Sequence, residues 1–209
     1  MAPLSAAEDV ASLWLLTLQR ALGRASHDVR DALNGVSVNL EVIRSRSARA
    51  EVPASAVAKF GDAASQQLER LTTLLDAVFG LARADHSPAD VALTLRRVVA
   101  VCGAASSAAD AALLLTGTME AGAAHARVPA DVLRLALMAP LLENVTGVNG
   151  KPQLSPVTCT MDMDDELVRV VMSAGGRQLA MPEAVSDVLR AAGVRWIEGD
   201  NLSLSFPRA

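Results

Sequence analysis

The chain has 209 residues, of which 51 % are hydrophobic; that is enough apolar material for a core and enough length for one or two domains, and it excludes a solvated tail. Aromatic residues make up only 2 % and there is no Tyr, so the core must be built from Ala, Leu and Val, a composition that favours closely packed helices. The formal charge of −4 and the absence of any Lys/Arg run argue against a nucleic-acid partner, which calls for a basic patch to pair with phosphates.

Residues 5–47 contain no Pro, and Leu15, Leu18, Leu22, Ala25, Val29, Ala32, Val36, Leu40 and Ile43 recur at spacings of three and four. This predicts one long helix with a narrow apolar seam. The stretch Val10 to Leu18 within it is too short to span a bilayer, and Glu8 and Asp9 precede it where a signal peptide carries positive charge. The expectation is a cytoplasmic protein without a membrane partner. Val52-Pro53 breaks the helix. A second helix follows over 54–84, with its own seam through Val57, Phe60, Ala64, Leu68, Leu71, Leu75, Val78 and Ala82. The two should fold back as an antiparallel hairpin. Seams this long leave apolar surface that a second copy would cover, so a homodimeric four-helix bundle is expected. The alternative is a hairpin that packs only on the rest of its own chain.

Asp85-His86-Ser87-Pro88 reads as a linker, dividing a helical hairpin (residues 1–84) from a second unit (88–209). The second unit should contain a helix from Leu95 to about Ala109, strand-like runs at Ala112 to Met119 and His125 to Val128, and a helix opened by Pro129 and ending near Val145. After a loop at Lys151 to Pro156 come paired strands, Val157 to Met163 and Leu167 to Ser173, around the acidic turn Asp164-Asp165-Glu166. A helix at Pro182 to Ala192 and a closing hairpin, Val194 to Glu198 with Leu202 to Phe206, complete the chain. The fold class is therefore α+β: a long helical hairpin followed by a small α/β sandwich with helices on one face of the sheet. Cys102 and Cys159 form no CxxC pair and read as buried reduced thiols. No metal-ligand spacing, P-loop or GxGxxG string occurs, and the acidic turn lacks the spacing of a calcium loop.

His27 is the residue with most to say about chemistry. It lies two residues from the seam positions Ala25 and Val29, about 200° around the helix, and so points outward. Arg20, Arg24, Arg30, Asp31 and Asn34 share the outward stripe, and Asp28 adjoins it. A carboxylate beside an exposed imidazole can orient one ring nitrogen while the other acts as nucleophile. The same pattern is also that of a hydrated helix face.

The string Ser26-His27-Asp28-Val29-Arg30-Asp31-Ala32-Leu33-Asn34 resembles the phosphoacceptor box of sensor histidine kinases, which lies on the first helix of a dimeric hairpin ahead of an α/β domain. The resemblance implies that His27 is the phosphorylated residue and Asp28 the neighbouring acid or base. It places Arg20, Arg24, Arg30, Asp31 and Asn34 on the surface that meets a partner. Two positions depart from the family. Ala32 replaces the usual Pro, which weakens the helical kink, and Asp31 stands where members with phosphatase activity carry Asn or Thr. In the second half, Leu133 to Val145 looks like the family's Asn-bearing helix, with Asn144 in place. Where its Asp-x-Gly-x-Gly loop should follow, the chain reads Ser173-Ala174-Gly175-Gly176-Arg177. No length remains before Pro182 for a Gly-rich lid.

The chain therefore resembles a degenerate histidine kinase acting as a histidine phosphotransferase. The resemblance implies a cytoplasmic homodimer that passes a phosphoryl group between receiver domains, with an upstream hybrid histidine kinase as a possible source. It implies no bound cofactor, the Mg²⁺ coming with the receiver. A divergent ATP-dependent kinase and a non-catalytic regulator of a kinase or receiver are the alternatives.

Overall fold

A computed structural model describes residues 6–49, 53–83, 88–105, 113–115, 124–146, 157–175 and 178–209. Residues 5–47 lack Pro, and α1 (Ala6–Ser47) runs uninterrupted through Gly23 and Gly35 for 42 residues, about 63 Å at the helical rise. It packs lengthwise on α2 (Ser55–Ala82) as an antiparallel hairpin. At mid-hairpin Gly35 leaves room for the Gln67 amide, which a Cβ at that position would overlap, and Asn39 Nδ2 donates to Gln67 Oε1 at 3.5 Å.

The second half opens with the two-residue strand β1 (Ala89–Asp90), which pairs antiparallel with β3 (His125–Ala126). Helix α3 (Val91–Ala105) begins four residues before the expected Leu95. The cause is local: Asp90 Oδ1 accepts the Leu93 N–H at 2.9 Å, satisfying an otherwise orphaned donor of the first turn. Thr94 Oγ1 donates to the Asp90 carbonyl at 2.6 Å. Asp90→Ala is expected to lower stability by about 1 kcal/mol, and Asp90→Asn by only a few tenths, measured by urea denaturation.

Helix α4 (Ala130–Thr146) is buried on every side from Val132 to Leu142, the pattern of a helix enclosed in a core. Its one buried charge, Arg134, pairs with Asp131 at 2.9 Å. The main sheet has the order β2-β4-β5-β7-β6, comprising β2 (Leu113–Leu115), β4 (Val157–Met163), β5 (Leu167–Ala174), β6 (Arg195–Ile197) and β7 (Leu202–Pro207). Only the β2–β4 pair is parallel. Strict alternation along β5 and β7 buries Val168, Val170, Met172, Leu202, Leu204 and Phe206 on the helical side. The opposite side carries Arg169, Val171, Ser173, Ser203 and Ser205. Asp164 closes the β4–β5 turn by accepting the Glu166 and Leu167 N–H groups at 2.9 and 2.8 Å, which holds its carboxyl below the ordinary range.

Helix α5 (Glu183–Ala191) ends in a Schellman motif: the Val194 N–H bonds Leu189 O and the Gly193 N–H bonds Arg190 O, both at 3.0 Å. Gly193 takes φ +82, which glycine adopts without strain. Beyond it, Glu198 Oε1 accepts both the Met181 N–H and Trp196 Nε1–H, tying the segment before α5 to the sheet edge.

The expected linker residues Asp85 to Ser87, the loop Lys151 to Pro156 and parts of the run Ala112 to Met119 lie outside the described residues. The two halves share one core. Trp14, Leu18 and Ala21 of α1 and Leu74, Ala77 and Leu81 of α2 join α3, α4 and the sheet in a single buried cluster. At the joint, Arg97 of α3 lies against Gly80 and donates to its carbonyl at 3.4 Å. The lower part of the hairpin thus packs on its own chain. The expected seam positions Leu15, Leu40, Leu68 and Leu75, by contrast, stay exposed in the single chain.

Candidate functional site

Three faces of helix α1 differ in their surroundings. Trp14, Leu18, Ala21, Ala25 and Val36 recur at helical spacing along one buried face, and the first three belong to the core shared with α3 and α4. Leu15, Leu33 and Leu40 form an apolar stripe left open. His27 lies exposed on the face directed away from α2. Arg20, Arg30, Asp31 and Asn34 are exposed with it, and among the described residues none of these five side chains has a hydrogen bond or ion pair.

Asp28 is half-buried, and its carboxyl is raised above the ordinary range. Loss of solvent is the main cause, the Asp31 charge adds to it, and the imidazole of His27 works in the opposite direction. The Asp28 carboxyl thus sits within electrostatic reach of both Asp31 and His27. Ser26 Oγ donates to the Gly23 carbonyl at 2.8 Å.

Arg24, the remaining stripe residue, is half-buried. Its Nη1 donates to the Leu142 carbonyl near the end of α4 at 3.4 Å, where helix carbonyls favour a cation. It serves the joint between α1 and α4, and a small cleft of about 190 Å³ there also touches Arg20, Leu16, Glu143 and Ala184. The side chain of Asn144 and residues Gly176 and Arg177 lie outside the described residues.

On the Asp28 side of the helix, a groove of about 800 Å³ runs between α1 and α2 and is closed by the end of α3. Asp28 and Asp31 line one wall, Gln66 and Arg70 the other, and Gly103 and Ala104 the end. The α2 wall was not foreseen from sequence. Its signal was the polar series Gln66, Glu69, Arg70 and Thr73 at helical spacing opposite the α2 seam. Among the described residues no group of His, Cys, Asp or Glu could hold a metal, and no helix is long and apolar enough to cross a membrane. Cys102 and Cys159 are free and buried, and burial pushes the Cys159 thiol up to about 12.

No protein-family model matches the chain. No curated protein matches it either. Among solved structures it is similar to a bacterial phosphotransferase, at 14 % identity and a TM-score of 0.44 over 98 % of each chain. It is also similar to the histidine kinase AdeS of Acinetobacter baumannii, at 12 % identity and a TM-score of 0.41, covering 88 % of this chain and 97 % of that one.

Proposed function

We propose that the protein is a histidine phosphotransferase that carries a phosphoryl group on His27 between receiver-domain aspartates. The observation that carries this reading is the exposed, unencumbered His27 ring beside the half-buried Asp28 carboxyl, within the Ser-His-Asp-x-Arg string of α1. A ring nitrogen of neutral His27 attacks phosphorus in line with the aspartyl oxygen. The P–N bond forms, the P–O bond breaks, and the receiver carboxylate leaves with the electron pair. The proton on the other ring nitrogen stays in the field of Asp28 and Asp31. Transfer to a second receiver is the same step reversed. Positioning supplies most of the catalysis, and the groove between α1 and α2 offers a partner the surface on which to be positioned. Mg²⁺ comes with the receiver.

The shared core favours a carrier over an ATP-dependent kinase. A nucleotide-binding half must move to deliver its phosphate to His27, and this one is built into the hairpin through Trp14, Leu18, Ala21 and Leu81. We further propose that the chain is a homodimer. Leu15, Leu33 and Leu40 of α1 and Leu68, Leu75 and Phe79 of α2 remain 41–63 % exposed, apolar positions on both arms of the hairpin that a second copy covers by presenting the same surface.

Labelled phospho-receiver mixed with the protein, free of ATP, tests the carrier reading. The wild type is expected to take up label and His27→Ala to take up none. Failure of the wild type across several receivers would leave a non-catalytic regulator, and labelling by ATP alone would establish a kinase.

A further inference from the structure

Arg24 and Arg30 stand three residues before and three after His27, each about 60° around the helix from the ring on opposite flanks. Their environments differ. Arg24 is half-buried and engaged with the Leu142 carbonyl. Arg30 is exposed and, among the described residues, has no hydrogen bond or ion pair.

Helix direction separates them further. Every Cα–Cβ bond tilts toward the helix N-terminus. The side chain of residue 30 therefore leans back over the turn that carries His27, whereas Arg24 leans away from it. Side chains three apart on a helix have Cβ atoms about 5–6 Å from each other, well within the reach of a guanidinium. Asp28 and Asp31 lie on the other flank of the ring, so Arg30 faces the imidazole without a carboxylate between them.

We propose that Arg30 binds the phosphoryl group on phosphorylated His27, two guanidinium N–H groups donating to two phosphoryl oxygens, and so prolongs the life of the phosphorylated carrier. The inference rests on the reading of His27 as the phosphoryl acceptor. The planar fork of Arg matches two phosphoryl oxygens, and no existing ion pair has to be given up. Hydrolysis needs water to attack phosphorus opposite the ring nitrogen; the P–N bond then breaks, its electron pair returns to the ring, and inorganic phosphate leaves. A guanidinium on two of the oxygens stabilises the dianion before that step and narrows the approach of water.

Phosphoramidate tests this without receiver or ATP, since its own P–N bond breaks with loss of ammonia as the new P–N bond forms on histidine. In ³¹P NMR the signal missing from His27→Ala identifies phosphorylated His27. The midpoint of its second ionisation is expected about half a unit higher in Arg30→Gln than in the wild type, with decay about two- to fivefold faster. Arg30→Lys keeps the charge and should restore most of the midpoint but less of the lifetime. Equal midpoints and equal decay in wild type and Arg30→Gln overturn the proposal, as does a wild-type spectrum without a His27-dependent signal. If receivers label His27 while Arg30→Gln changes nothing, only the role of Arg30 fails. If Arg30→Gln behaves as expected and no receiver labels His27, the phosphorelay reading fails and the pairing stands.

Discussion

Leu81→Ala is expected to destabilise the whole protein by about 3 kcal/mol, moving the urea midpoint down by about 1–2 M at fixed protein concentration. Leu81 is completely buried in the last turn of α2, where the hairpin core meets α3 and α4. Truncation there removes buried methyl groups and leaves a cavity in the shared core. The loss should reach both halves because the cluster is continuous. The chain has two tryptophans, and they report on opposite sides of the joint: Trp14 is buried in α1, and Trp196 lies in β6 with Arg190 stacked 4.8 Å from its ring. Fluorescence of Trp14→Phe and Trp196→Phe backgrounds should give coincident transitions before and after Leu81→Ala. Separate transitions would mean that the halves unfold independently and that the joint adds little.

Leu33→Glu with Leu68→Glu is expected to abolish the proposed dimer. The two positions lie at about the same height on the antiparallel helices and are each 47 % exposed in the single chain, so the substitutions cost the isolated fold little. In a paired bundle they would bury four like charges without partners, a penalty of several kcal/mol and a dissociation constant raised by about a thousandfold or more. Sedimentation equilibrium should show the wild type at twice the 21.7 kDa chain mass and the double variant at that mass, with unchanged helical circular dichroism. A wild type that sediments as a single chain at tens of micromolar would remove the dimer from the proposal.

Where turn chemistry and side-chain alternation agree, the sequence was readable almost to the residue. Strand β4 falls on the expected 157–163, and β5, β6 and β7 differ from expectation by one residue or two. Asp164 and the Gly199-Asp200-Asn201 turn supply the signals, and alternation does the rest. Strands β1 and β3 have two residues each, too few to alternate, so β1 had no sequence signature. The early start of α3 depends on a single Asp90 side chain, which resembles any polar linker residue until the backbone turns onto it.

The candidate site divides in the same way. A helical wheel suffices to put His27 in solvent. It cannot tell Arg24 from Arg30, because the two are symmetric about the ring, and only the packing of α4 against α1 captures one of them. The α2 wall of the groove was illegible for a related reason, since which polar face of α2 lies across from Asp28 and Asp31 depends on how the hairpin closes.

The open apolar stripe of α1 and the His27 face lie about 120–140° apart around the helix. A dimer closed through that stripe would present its two imidazoles to opposite sides of the bundle. Two partner molecules could then be engaged at once without touching, so occupancy of one site would not obstruct the other. Titration to saturation should end at one partner per chain, with a single affinity.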